Sequence, residues 1–392
     1  MTTVHKLKID PTKPITDVES LRRHLVQAAE VELCAIPLYL YAAYSIKTSG
    51  YYQWNPGMSA FRTIRSVVIE EMLHLCLARN LLVAVGGGDM VRFYDRDFVP
   101  AYPEPMPHHA PELMLHLEPC SVELMENVFM PFELPAKSDA PPEDDQYATL
   151  GQFYAAVKLG FDYLDAKGDL WLENKPELQY NNAYWNNDGG GSPLRVTGLA
   201  SAHVAIDTIV EQGEGMAPGD DEVPVEWPYD PHTVPLELSH YAKFSAIAAG
   251  VDTIGDVWPV PTDPSADDYE SPARELALLF NAAYCYVLCM IDKIYNTSSE
   301  TVIPGKDSPR YGLERQFIAS MGGLLYPIAD LLVQQPAGGF HLHAAPTFEY
   351  YELPETGKKE HLEELCHELV RHYPQLGGDD GVQALLKNLP DV

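Results

Sequence analysis

Apolar residues recur every three to four positions in four long stretches of the chain, the spacing of helices with one buried face. The first stretch runs from Val18 to Ser45 behind Asp17, a good helix cap, with the stripe Leu21, Leu25, Ala28, Ile36, Tyr39 and Ala43. The second covers residues 58–85 with the stripe Phe61, Ile64, Val68, Leu75, Ala78 and Leu82, and stops at Gly86, Gly87 and Gly88. A third helix is expected over 198–212, ending at Gly213, and a fourth over 235–249, opening on Pro235 and closing at Gly250.

Between the second and third stretches lies a long insertion, about residues 90–194, which is proline-rich at first and later holds one more helical run, "LGQFYAAVKLGFDYL". After Gly250 comes a proline- and aspartate-rich loop, and further helices are expected near 273–295, 312–333 and 359–372. Runs of alternating polarity are few, so the class is all-α. The expected organisation is a bundle with its insertion over 1–255, and a C-terminal helical region over 256–392 packed on it.

The charge excludes some partners. With 26 basic and 57 acidic residues the formal net charge is -31, a surface that repels nucleic acid and anionic membranes. The start of the chain lacks an apolar core of signal-peptide type, and the apolar run at 276–291 is too short to read as a membrane span. Six cysteines sit in mostly apolar, helical segments without a pairing pattern, so free thiols and a cytoplasmic address are expected.

Against this background "IEEMLHL" stands out, because an unpaired carboxylate is costly to bury. Glu71 and His74 are i and i+3, side by side on the face that carries Phe61, Ile64, Val68 and Ala78, while Glu70 points about a quarter turn away. One Glu-x-x-His is weak evidence, but "ELSH" repeats it at Glu237 and His240. Glu32 lies on the apolar stripe of the first helix and Glu30 off it; a rotated helix would exchange them. In the third helix Glu211 falls near Val210 and Ala200. The order Glu, Glu-x-x-His, Glu, Glu-x-x-His on four helices is the ligand set of dinuclear carboxylate bundles. Four carboxylates and two neutral imidazoles balance two divalent cations, and oxygen with imidazole donors suits iron or manganese. A salt-bridged bundle or a lapsed site would show the same residues.

"VELCAIPLYLYAAYSI", "IEEMLHLCLARNLLVAVGG", "IVEQGEG" and "ELSHYAKF" resemble the ferritin-like domain of violacein-pathway proteins of the iminophenyl-pyruvate dimer synthase type. The resemblance covers roughly the first 250 residues, including "MPFELP" and "LGQFYAAV", and extends toward "APTFE". It implies a ferritin-like bundle with metal ligands Glu32, Glu71, His74, Glu211, Glu237 and His240. The violacein enzyme is far longer, so the resemblance specifies the domain and not its substrate.

The remaining candidates have simpler readings. Asp207 is placed to accept a hydrogen bond from a ligand histidine, and Glu214 to cap a helix or face solvent. His203 reads as a satisfied core histidine, and Tyr39, Tyr44 and Tyr241 as packing residues with bonded hydroxyls. His108, His109, His341 and His343 are assigned no metal. The expected function is a non-haem enzyme with two iron ions, or manganese, that uses dioxygen or peroxide to oxidise or couple a small amino-acid-derived molecule. Iron handling and a metal-free scaffold are the alternatives; a homo-oligomer is compatible with each.

Overall fold

The computed structural model describes residues 9–48, 58–137, 141, 144, 146–181, 190–214, 238–301, 308–337, 341–379 and 381–392. Helix α1 (Val18–Ser45) starts where Asp17 accepts from the amide of Ser20 at 2.7 Å. Helix α2 (Met58–Ala84) ends as the glycines predict: Gly86 adopts φ +77°, its amide donates to Val83 O, and the Gly87 amide donates to Leu82 O. That pair of bonds closes the last turn and needs a left-handed residue, which favours glycine. Helices α1 and α2 pack along one another.

The insertion contributes more of the bundle than its composition suggests. Its helix α3 (Leu150–Asp165) packs on α1 and on α4 (Leu199–Gly213), and α4 packs in turn on α2. These four helices form the walls. Within the described part of the stretch expected over 235–249, the helix runs from His240 to Ala248 (α5), and the extended Ser239 accepts from the Ala242 amide as its cap. Helix α5 is too short to be a wall; it packs on α2 and on the helical turns at Met125–Phe129 and Met130–Phe132 of the insertion. The only paired strands among the described residues are Glu104–Pro105 and Met114–Leu115. The protein is all-α.

C-terminal residues join the same apolar core. Helix α6 (Ala273–Tyr295) has the expected bounds, and the Tyr295 hydroxyl donates to Cys76 O of α2 at 3.3 Å. The helix expected over 312–333 is broken into α7 (Pro309–Ser320), a π turn over Met321–Leu325 and α8 (Tyr326–Val333). Three helical segments, Val18–Ser45, Ala273–Tyr295 and Pro309–Val333, are long and apolar enough to cross a membrane by length and composition. In the first two, most of that apolar window is buried inside the protein.

Asn80 of α2 ties the insertion to the bundle. It is fully buried; its amide group donates to Tyr180 O (2.7 Å) and Leu194 O (2.9 Å), and its carbonyl accepts from the Tyr180 amide (2.9 Å). Asn80→Ala strands two buried backbone groups of Tyr180, each costing about 1–3 kcal/mol, and the half-buried carbonyl of Leu194. We expect a loss of about 3 kcal/mol or more in urea unfolding, and a loss below about 1 kcal/mol would refute this role for Asn80.

Candidate metal centre

Glu71 sits between two imidazoles. The i, i+3 spacing on α2 sends Glu71 and His74 from one face, and His74 Nδ1 lies 3.6 Å from Glu71 Oε2 and 3.6 Å from Glu32 Oε2 of α1. His240, the first residue of α5, brings its Nδ1 to 2.8 Å from Glu71 Oε1 and 3.5 Å from Glu133 Oε1. Each imidazole therefore has one carboxylate of its own and a share in Glu71. The two rings stack with centroids 5.2 Å apart. All five residues are at most 2% exposed.

A layer of buried partners holds them. The Tyr154 hydroxyl of α3 donates to Glu32 Oε1 at 2.5 Å, leaving Oε2 facing His74, and the Tyr39 hydroxyl donates to Glu133 Oε1 at 2.6 Å. Burial, then the neighbouring carboxylates, pushes both phenols well above their usual range, so they remain donors. Gln212 of α4 meets His74 Nε2 at 3.1 Å, and Glu70 meets His240 Nε2 at 3.0 Å.

The ionisation of the cluster follows from its crowding. Burial pushes Glu32 up to about 7, with His74 pulling the other way. Burial also opposes the charge on Glu71, but the neighbouring His240 and His74 overcome it and hold this carboxyl well below its ordinary range. Burial disfavours the protonated form of His74, yet Glu32 and Glu71 raise it to about 9. His240 is likewise raised against its burial, by Glu133 and Glu71. Positive charge is thus drawn to both imidazole positions.

These residues fit a metal site. His240 Nδ1 is buried and makes no hydrogen bond, although Glu71 Oε1 lies 2.8 Å away. A buried nitrogen left in that state calls for another occupant of its lone pair. One donor atom each from Glu71, His74 and His240 lie within 4.8 Å of one another. Carboxylate and imidazole donors without thiolate suit iron or manganese.

The structure brings together Glu32, Glu71, His74 and His240 of the expected six. Glu211 is exposed on α4, since the buried face of that helix is Ala202, Ala205, Ile206, Ile209 and Gly213; Ala200, taken as a marker of that face, is itself exposed. Glu237 lies outside the described residues; Ser239, between it and His240, is extended, and α5 begins at His240. Glu133 supplies the carboxylate beside His240. It stands in "MPFELP" just past a short helical turn, with no periodicity to mark it.

Other expectations also shift. Asp207 meets Lys158 at 2.5 Å, so it is Gln212 that bonds to His74. Glu214 is buried and accepts from the amides of Ala136 (2.9 Å) and Gly151, with burial pushing it up to about 7. His203 is half-buried, 2.8 Å from Asp162. Glu70, a quarter turn from Glu71, flanks the site as its position on the helix predicts.

Residues 25–249 match the Ferritin-like family. The chain is similar to dichlorochromopyrrolate synthase of Lentzea aerocolonigenes, 28% identical over 387 residues that cover 87% of this chain and 37% of that protein. It therefore spans little more than a third of that relative's length. Its fold is like that of a ferritin like protein from Caulobacter vibrioides, with a TM-score of 0.55 and 22% identity over 86% of this chain and 100% of that one. The family match takes in more than half of the chain and every residue of the cluster around Glu71, so the chain belongs to the Ferritin-like family.

Proposed function

We propose that this protein is a non-haem oxidoreductase with two iron or manganese ions, which uses dioxygen or peroxide to oxidise or couple a small amino-acid-derived molecule. The observation that carries the reading is Glu71, one buried carboxylate offering an oxygen to each of two imidazoles that have their own second carboxylates. Glu32, Glu71 and His74 would hold one ion, and Glu71, Glu133 and His240 the other. When bound, such a pair supplies Lewis acidity and redox electrons in a site closed to bulk water. The chain's own groups hold that site in shape: Tyr154 and Tyr39 fix the two terminal carboxylates, and Gln212 and Glu70 fix the two rings.

The printed activity of the relative, a synthase, supports a biosynthetic substrate class for this chain. Resemblance to the violacein-pathway domain supports an amino-acid-derived imine as the first class to screen. The cytosolic setting is proposed from cysteine usage, and all six thiols are free and buried.

The direct test is metal analysis of protein purified without chelators, then anaerobic ferrous loading and exposure to oxygen. About two ions per chain are expected, with oxygen consumed in proportion and no further uptake. Accumulation of iron as a mineral at many ions per chain would replace this reading with storage. Glu71→Ala should lose both ions, Glu133→Ala chiefly the one at His240, and Glu211→Ala neither. Full occupancy in Glu71→Ala would refute the assignment.

Metal uptake should also release protons, because ligands bind in their deprotonated forms. With His74 raised to about 9 and Glu32 to about 7, apparent affinity should climb as pH rises toward 9 and drop steeply below 7. In the metal-free protein, His74 contributes stability that is full below its ordinary 6.5 and is lost as pH rises through about 9. Calorimetric titration in buffers of differing ionisation enthalpy reads the protons released, and pH-independent binding between 6 and 9 would contradict the geometry.

A further inference from the structure

The two imidazoles face Glu71 alike but are backed by unlike partners. Behind His240, Glu70 Oε2 lies 3.0 Å from Nε2, the same oxygen takes the Lys243 ammonium, and Glu70 Oε1 accepts from the Gly190 amide at 2.8 Å. Glu70 and Lys243 are each 1% exposed. Among the described residues, the group behind His74 is the neutral amide oxygen of Gln212, on a half-buried side chain. In both rings Nε2 meets an acceptor and so carries the proton of the neutral, ligand-binding form, which leaves the Nδ1 lone pair turned toward the carboxylates.

A charged acceptor polarises the N–H it receives more than a neutral amide does, and so strengthens the opposite nitrogen as a ligand. Lys243, one turn after His240 on α5, holds Glu70 back from the metal cluster and cancels its charge there. Glu70 can then strengthen His240 without adding a further anion to the ligands. That separates the two adjacent glutamates of α2: Glu71 faces the ions and Glu70 backs a ligand.

We propose that the Glu70–Lys243 pair makes the His240 position the tighter and first-filled of the two, while Gln212 leaves the His74 position weaker and the first to be emptied by a chelator. This inference rests on the dinuclear reading above. The three residues are positioning residues, acting through the imidazoles they touch.

The test uses the full chain with Co(II) as probe, followed by its visible d–d absorption under chelator competition. His74→Ala retains the His240 position and His240→Ala the other. The first should bind Co(II) at least about tenfold more tightly than the second. On the His74→Ala background, Glu70→Gln with Lys243→Met should lower affinity by about 10–100-fold and shift the d–d bands. On the His240→Ala background, Gln212→Glu should raise affinity, a gain that a merely structural role would not produce. Equal affinities at the two positions, the reverse order, or no gain with Gln212→Glu in a folded protein would overturn the proposal. Gln212 is half-buried at the end of α4, so this arm decides the question even if the Glu70–Lys243 variant fails to fold. Wild-type protein that binds a single Co(II) would instead remove the dinuclear reading itself.

Discussion

Glu71 carries a carboxylate into the middle of a helix whose neighbours on the same face are Val68, Leu75 and Ala78. Taking an ionised carboxylate out of water costs several kcal/mol unless cations and hydrogen bonds answer it. Much of the bundle's arrangement can be read as that answer. His74 rises from the same helix one turn on, α5 presents His240 at its first residue, and α1 and the insertion bring Glu32 and Glu133 to share the positive charge gathered there. Protons fill the role of cations in the metal-free state, which explains why both histidines are raised and Glu71 is lowered together. Divalent ions would satisfy the same constraint more completely, and they need neutral imidazoles to do so.

The insertion is structural as well as functional. Its helix α3 is a wall of the bundle, and Tyr154 from that wall positions Glu32. Glu214 anchors the start of α3 by accepting from Gly151, and it reaches the insertion again at Ala136. Asn80 binds the later part of the insertion against α2. Glu133 is thus held from three sides: the Tyr39 hydroxyl, the packing of α5, and the backbone fixed by Glu214. A ligand from irregular chain can be placed as firmly as one from a helix when its surroundings are this constrained.

How much of this was legible in the sequence depended on period. The bounds of α1, α2 and α6, and the choice of Glu32 over Glu30, followed from long apolar stripes that leave one rotation. Glu71 and His74 were legible for the same reason. The run of α4 is short and rich in small residues, so its phase is ambiguous: Ala200 and Val210 suggest a face centred on Glu211, whereas Ala205, Ile206 and Ile209 define the buried one. His240 stands out in the sequence through its spacing to Glu237, whereas the fold starts α5 at His240 behind an extended Ser239. Glu133 carries no periodic signal: its place depends on α5 and Tyr39, which are far from it in sequence and near it only in the fold.

On the proposed reading, Glu71 is shared by two metal ions, one against each Nδ1. Anomalous diffraction from crystals grown with ferrous or manganous ion, recorded at the metal edge, locates those ions without reference to activity. Two peaks about 3.5–4 Å apart are expected, with a Glu71 oxygen toward each, one within bonding distance of His74 Nδ1 and the other of His240 Nδ1. A single peak, a pair anchored on Glu211, or clear density with His240 Nδ1 unligated would contradict it.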